Sequence, residues 1–517
     1  MKTSKLVLKK SFTLIVCFSL FSLAFSQTNY FKVLHTPTQE FPDAVVETES
    51  GDIIMIQTNY VELDSTNYVS FLKLNQQGDT LLYRIVKRTE RFYSYTRIIK
   101  FPMQIGQAEQ YAAIGAAYYR DESTISTSQN KMLFYTFDSN LDSLSSAEIN
   151  LPDSLYIWGL RDAIQTKNGH IVSLIDDMLH KKVLILKSSL SGDSISFNQI
   201  VPQNTSYVFS IMEKPDSDGY YFTSDGYFNG IIGYAFNYII TLDTNLQYVK
   251  QDSLPGSCAF YSHIRPFNNS ILVGGRAKRI WFNAYPVYLT EEYCIEKLDN
   301  ALQPVKQVFL SHVVLNHSGD SENDTISYPA LSRNFDFVDT NYIYTSHYRE
   351  YPMEYYPAIY NYFVVSKFNS NLDLLWQYYF GFDAYYFVWQ ITALKDGGCF
   401  VSGSRYDYQT QNQEYDIFCL KLDSTGIFTS SGEPNVVVHS AVVFPNPGTD
   451  ILHLESGPQV LGNYFQLYDL QGIKVSEEKI TASQQQISTN NLPNGMYIWR
   501  IVANGKVIDS GKWLKTE

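Results

Sequence analysis

Residues 131–142 read KMLFYTFDSNLD, a β-forming run rich in aromatics that closes on a short polar tetrad. The same phrase returns six more times: YVSFLKLNQQGD (68–79), KVLILKSSLSGD (182–193), NYIITLDTNLQ (237–247), YCIEKLDNALQ (293–303), YFVVSKFNSNLD (362–373) and DIFCLKLDSTG (416–426). The copies align on Asn75, Asp138, Ser189, Asp243, Asp299, Asn369 and Asp423. Four positions earlier stand Phe71, Phe134, Ile185, Ile239, Ile295, Val365 and Cys419, apolar every time. Three positions later stands Leu or Gly in every copy. A strand that ends in such a tetrad predicts a hairpin turn.

A second phrase precedes each copy: SGDIIMIQT, EQYAAIGAAY, NGHIVSLID, DGYYFTSD, NSILVGGR, TNYIYTSH and GGCFVSGS. Each is a turn feeding a short apolar strand. One further strand lies before it, as in DAIQTK or ITALKD, and one after the anchor turn, as in DLLWQYYF. Four antiparallel strands in a unit of about 50 residues, repeated seven times, predict a seven-bladed β-propeller. Stacking explains why both faces of these strands carry apolar residues, since each sheet covers its neighbour. The last unit has a poor fourth strand, IFTSSG, while NYFKVLH (29–35) reads as a detached one. The N-terminal strand is therefore expected to complete the last blade and close the ring, which removes an exposed edge. The units are too long for the short coils of an open β-solenoid.

Composition agrees with an all-β chain. Of 517 residues 15% are aromatic and only 18% charged, and the length calls for more than one domain. A net charge of −13 argues against a nucleic-acid groove. The N-terminus MKTSKLVLKKSFTLIVCFSLFSLAFSQ has four lysines, an apolar run from Thr13 to Phe25, and small residues at Ala24 and Ser26. It reads as a signal peptide over residues 1–26 with cleavage before Gln27. Cys17 lies inside the apolar run behind the bulky Val16, which argues against a lipid-modified cysteine. No transmembrane segment is expected in the mature chain. Export permits disulfides, and the sequence leaves open whether Cys399–Cys419 or Cys258–Cys294 form them.

Past Gly432 the rhythm changes. The propeller is expected over 27–430, a linker over 431–438, and a small Ig-like β-sandwich over 439–517. The module opens VFPNPGTDILHL (443–454) and closes SGKWLKTE (510–517). Pro445 and Pro447 restrict themselves and the residues before them, so the chain enters the first strand on a stiff path. Asp450 is placed to bond nearby backbone amides.

Those residues resemble the type A C-terminal sorting domain of the type IX secretion system of Bacteroidetes. The pattern runs in order through Pro445, Asn446, Pro447 and Asp450, then Tyr468, Asp469 and Gly472, then Leu492, Gly495 and Tyr497, then Gly511 and Lys512. Trp513 departs from it, since a smaller apolar residue such as Phe is expected there. The resemblance implies a route: signal peptide to the periplasm, then an outer-membrane translocon and its sorting peptidase. It implies a secreted or surface-attached product with its tail removed within about 425–438. Asp-Ser/Thr-apolar triplets at Ser143, Ser154, Ser194, Ser253 and Thr325 resemble O-glycan acceptors of the same bacteria.

Chemistry is sparse. No zinc-protease, P-loop or nucleophile-elbow motif occurs, and no cofactor or metal is expected. His312 and His317 read as loop residues, and Asp216, Asp218 and Asp225 as turn and strand residues rather than a calcium loop. The insertion before the sixth unit is long and polar, and SHYREYPMEYYPAIY follows it. Tyr348, Tyr351, Tyr355 and Tyr356 would give rigid contact area for a glycan or protein ligand. The function expected is an exported binding module. The alternative is a glycan hydrolase or lyase with carboxylates at the propeller mouth, for which Glu350 and Glu354 are candidates.

Overall fold

The structure is a computed structural model that describes residues 29–516, apart from 36–37, 62–65, 89–91, 103–107, 119–129, 153–154, 156, 178–179, 228–234, 256–257, 259, 282–287, 311–325, 351–360, 408–414 and 429–436. The expected signal peptide with Cys17, the histidines 312 and 317, Ser154, Thr325 and most of the expected linker lie outside the described residues.

Among the described residues, seven antiparallel sheets follow one another over residues 39–86, 92–150, 157–200, 205–255, 260–310, 326–381 and 385–422. Within each, strands pair in chain order. The second strand of a sheet is buried on both faces, as in Ile171–Asp177, whereas an outer strand such as Ser143–Asn150 is mostly exposed. That gradient is why the second phrase reads as a continuous apolar run while outer strands read as polar. Each sheet's first strand packs against the next sheet, and the seventh sheet packs on the first.

The seventh sheet draws its outer strand from the other end of the chain. Tyr30–Leu34 pairs antiparallel with Tyr415–Leu422, from Tyr30↔Lys421 to Leu34↔Ile417. One face of that strand then packs Tyr30, with Phe400 and Ile417, onto Val45, Ile53, Met55 and Leu72 of the first sheet.

The sixth sheet is irregular. Its first strand comes in two pieces, Ile326–Pro329 and Phe335–Asp336, both paired with Tyr342–Glu350. It also gains a fifth strand, Val437–His439, on the edge of Leu374–Gly381. The end of the expected linker is thus part of a sheet.

The anchor turns have one chemistry. The Asp138 carboxylate accepts the amides of Asn140 at 2.8 Å and Asp142 at 3.0 Å, and the Leu141 amide donates to the Asp138 carbonyl at 3.0 Å. Asn75, Asp243, Asp299 and Asn369 repeat the pattern. Only a short side chain with an acceptor oxygen can do this, hence Asn, Asp or Ser at every anchor. The residue three positions on has a left-handed backbone, with φ from 58° at Leu372 to 89° at Gly192. A non-glycine residue there costs about 1–2 kcal/mol. Leu141, Leu246, Leu302 and Leu372 offset that by burying their side chains against the preceding sheet, worth about 2 kcal/mol each. Where glycine stands, a neighbour fills the space: a Cβ on Gly78 would meet the Tyr30 ring at 2.6 Å, and one on Gly426 the Trp376 indole at 2.8 Å.

Cys258 and Cys294 form a disulfide, while Cys399 and Cys419 are buried free thiols. Cys399 lies opposite Leu422 and Cys419 opposite Ser402, a three-residue offset that sends the two thiols to opposite faces of their sheet.

Residues 441–515 form a separate pair of sheets. One holds Ala441–Phe444, Ile451–Ser456 and Gln484–Ser488; the other orders Lys474–Lys479, Tyr464–Tyr468, Gly495–Ala503 and Lys506–Lys515. Leu452, Phe465, Trp499 and Trp513 fill the space between them. No helix among the described residues is long and apolar enough to cross a membrane.

Candidate functional site

Two places concentrate polar chemistry: the centre where the first strands converge, and the C-terminal module with the seam that joins it to the sixth sheet.

At the centre, the first strands break register at equivalent points: Pro42/Ala44, Tyr95/Arg97, Leu160/Asp162, Val208/Ile211, Phe260/His263 and Val388/Gln390. Such bulges re-aim side chains. The sixth sheet instead inserts Ala330–Asn334, whose Arg333 bridges in parallel to Gln390 of the seventh. Arg97 donates from Nε to Asp162 at 2.6 Å and from Nη1 to Ser332 Oγ at 2.6 Å. The other Asp162 oxygen accepts Ser210 Oγ at 2.7 Å and the Ile211 amide at 2.9 Å. Ser210 Oγ lies 3.0 Å from His263 Nδ1. Arg265 pairs with Asp336, which also accepts the Ala393 amide at 2.9 Å.

Asp162 and Asp336 therefore act as braces between sheets, with their oxygens committed. The cations are less fully matched. Arg333 reaches Asp336 only at 3.8 Å, and its Nε is buried without a partner, as is His263 Nε2. Burial, then the nearby Arg97 and Arg265, pushes the Arg333 guanidinium down to about 9. Burial and the three guanidinium groups hold His263 well below the usual imidazole value. A cavity of about 460 Å³ opens beside these groups, lined by Asp162, Ile211, His263, Arg265 and Arg333, with Lys167, Glu213 and Lys214 also on its wall. Asp43, at the bulge of the first sheet, is pushed up to about 7 by burial, against the Thr58 hydroxyl that donates to it.

In the C-terminal module the ordered motif gathers around the last strand. The Asn446 side chain donates to the Lys512 carbonyl at 3.0 Å and accepts the Leu514 amide at 2.9 Å, so it mimics a strand partner. The Gly448 amide donates to the Leu514 carbonyl at 2.8 Å, and Thr516 donates back to Gly448 at 2.8 Å. Trp513 is fully buried and donates from Nε1 to the Pro445 carbonyl at 2.8 Å. A Cβ on Gly448 would lie 2.8 Å from that indole nitrogen, so the Trp and the Gly belong together. The Tyr497 ring lies tilted against Trp513, and its hydroxyl donates to the Pro493 carbonyl at 2.6 Å. Leu492 packs on the same core, and Gly495 begins the strand that carries Tyr497. The Asp450 carboxylate meets Lys515 at 3.4 Å, while its carbonyl accepts Thr489. Tyr468, Asp469 and Gly472 form a separate hairpin turn, with Asp469 accepting the amides of Gln471 and Ile473 at 3.0 and 2.8 Å.

The seam with the sixth sheet is polar and buried. Arg349 donates to Glu455 at 2.9 Å, both nearly inaccessible, and the Tyr379 hydroxyl donates to the other Glu455 oxygen at 3.3 Å. Gln459 exchanges two bonds with the Gln377 backbone, at 3.3 and 2.6 Å. Around them Tyr362, Val364, Tyr379 and Val442 form one apolar cluster. Asp509 gathers His439, Ser440 and the Ala441 amide where the strand Val437–His439 leads into the module.

Of the tyrosines expected to face a ligand, Tyr348 is buried, stacked on Tyr328 and edge-on to Phe387 of the seventh sheet. Tyr351, Tyr355 and Tyr356 lie outside the described residues, as does Glu354. Asp216 and Asp218 lie on the turn between two strands, where Asp218 pairs with Lys214, and Asp225 accepts the Tyr207 amide at 2.7 Å. Arg349, Glu455 and the central cluster had no local motif in the sequence.

Residues 442–514 match the secretion system C-terminal sorting domain family. The chain is therefore exported through the type IX system that this domain addresses, to be secreted or attached at the outer surface. No curated protein matches the chain. Among solved structures, a Mycobacterium tuberculosis puromycin-hydrolysing peptidase aligns over 82% of this chain and 57% of its own at 10% identity, TM-score 0.42. A Fusarium graminearum α-L-arabinofuranosidase aligns over 77% and 98% at 8% identity, TM-score 0.37. A family 43 β-1,3-galactosidase aligns over 50% and 91% at 10% identity, TM-score 0.30. The chain spans well under two thirds of the peptidase's length, and at these TM-scores none of the three bears on activity.

Proposed function

We propose that residues 27–430 are a closed seven-bladed β-propeller acting as an extracellular binding module. In this reading residues 1–26 are the signal peptide, 431–438 the linker cut by the sorting peptidase, and 439–517 the sorting sandwich. The pairing of Tyr30–Leu34 with Tyr415–Leu422 supports closure, because a strand drawn from the far end of the chain ties the last sheet to the start of the array.

The observation that carries the binding reading is the state of the centre. Asp162 and Asp336 have their oxygens committed to other sheets, whereas Arg333 and His263 keep buried, unmatched nitrogens beside a cavity. Such a centre suits holding a ligand more than acid–base turnover. The second reading, a glycan hydrolase or lyase, draws on Asp43, a central carboxyl that keeps its proton to about 7. Tyr351, Tyr355 and Tyr356 belong to the proposal as contacts for a glycan or protein ligand.

The test pairs a glycan array with a turnover screen on the exported protein. Saturable binding without product release supports the module; product release from any polysaccharide, abolished by Asp43→Asn, supports the hydrolase. Deleting residues 438–517 is expected to hold the chain in the periplasm, and unchanged surface display after the deletion would refute the route.

A further inference from the structure

The central cavity has a more specific chemistry than a general basic pocket. Asp162 is a carboxylate, so the hydrogen shared with Ser210 comes from the serine, which donates at 2.7 Å. Ser210 Oγ then accepts from His263 Nδ1–H at 3.0 Å. That assigns the imidazole tautomer: Nε2 carries the lone pair and is an acceptor. It is buried and has no partner, on a residue that lines the cavity. A ligand here must bring a hydrogen-bond donor.

Charge sets the second requirement. Three guanidinium groups, Arg97, Arg265 and Arg333, meet two carboxylates, Asp162 and Asp336. Arg97 and Arg265 are closely paired, so the excess positive charge belongs to Arg333, whose Nε is unmatched. The wall adds little of either sign: Glu213 accepts the Lys167 amide at 2.7 Å, Lys167 Nζ donates to the Pro215 carbonyl at 2.8 Å, and Lys214 pairs with Asp218. One excess cation with Asp336 at 3.8 Å suits a single negative charge better than a dianion. Arg presents a planar fork that matches a carboxylate.

Building on the binding-module reading, we propose that the central cavity binds a hexuronic acid unit, its carboxylate on Arg333 and an adjacent hydroxyl donating to His263 Nε2. A cavity of about 460 Å³ is of the size that encloses one or two sugar rings. A neutral sugar would leave Arg333 unmatched, and an inorganic anion would leave His263 unmatched; each carries the cost of an unpaired buried group.

The experiment is calorimetric titration of the full exported protein at pH 7 with D-glucuronate, D-galacturonate, D-glucose and sodium sulfate. One uronate is expected to bind at least tenfold more tightly than glucose or sulfate. Arg333→Gln is expected to weaken that uronate at least tenfold, with Arg333→Lys between the two. His263→Phe is expected to weaken the uronate and leave sulfate unchanged. Thermal unfolding reports whether each variant is folded; if the Arg333 variants are not, the ligand ranking on the unsubstituted chain decides. Uronate binding no tighter than glucose, sulfate binding as tight as uronate, or a folded Arg333→Gln protein with undiminished uronate binding would each overturn the proposal. If uronates fail while the array finds another ligand, only the cavity assignment falls. If product release appears, the binding-module reading falls as well.

Discussion

Arg349 of the sixth sheet and Glu455 of the C-terminal module form an ion pair across 106 residues of sequence, 2.9 Å apart and almost inaccessible to water. Burying two charges together is costly unless each is well bonded, and here Glu455 also accepts from Tyr379. The sorting module is thus packed onto a specific face. Glu455→Ala should strand Arg349 in that seam and destabilise it by about 3–5 kcal/mol. Hydrogen exchange at residues 437–456 is the readout: faster exchange there, with the other sheets unchanged, is expected. Exchange equal to the parent would mean that the seam contributes little.

Trp513 and Gly448 should behave as a unit. Trp513→Phe removes the donor to the Pro445 carbonyl and is expected to cost about 1–3 kcal/mol, measured by denaturant unfolding. Gly448→Ala forces a Cβ to within 2.7 Å of the Pro445 carbonyl oxygen and 2.8 Å of the indole nitrogen. It should cost less when Trp513 is already Phe, so a double-mutant cycle should give a non-zero coupling. Strict additivity would contradict the packing.

The left-handed turn residues allow a sharper test. In ordinary backbone Gly is less stable than Ala by about 0.5–1 kcal/mol. At Leu372, with φ 58°, the order should reverse. Leu372→Ala is expected to lose about 2–4 kcal/mol through the cavity it leaves, and Leu372→Gly to lose less. Glycine at that site proving the worse of the two would argue against the turn geometry.

Asp43 gives a pH dependence. Its carboxyl is held up to about 7 by burial, against about 3.9 in an unfolded chain. The folded state favours the protonated form, so this stabilisation is complete below about pH 4 and is lost as pH rises through 7. The full effect is at most about 4 kcal/mol and smaller to the extent that water reaches the group. Asp43→Asn should flatten the fall in melting temperature between about pH 4 and 7. An identical pH profile in the variant would show that Asp43 binds its proton equally in the folded and unfolded chain.

The repeat was legible because its turns obey local chemistry: an acceptor at Asn75 or Asp138, then Gly78 or Leu141 where the backbone turns left-handed. The tail was legible where contacts depend on residue type, as at Asn446 and Gly448; Trp513 departs from the expected residue, and its bond to the Pro445 carbonyl was not foreseen. The centre was not legible. Arg97, Asp162, Ser210 and His263 share a place in the sheet register and share no chemistry, so no motif repeats. Tyr348 illustrates the limit for single residues: its strand position turns it inward, onto Phe387, although its neighbours in sequence suggested an exposed aromatic surface. Arg349 and Glu455 meet only through the packing of two folded units.

The N-terminal strand completes the seventh sheet. Lys32 lies directly opposite the free thiol of Cys419. The measurement is peptide mapping of the exported Lys32→Cys protein under non-reducing conditions. A crosslink between residues 32 and 419 is expected. Residue 32 bonded to any other cysteine, or both thiols freely alkylated in the folded protein, would contradict it.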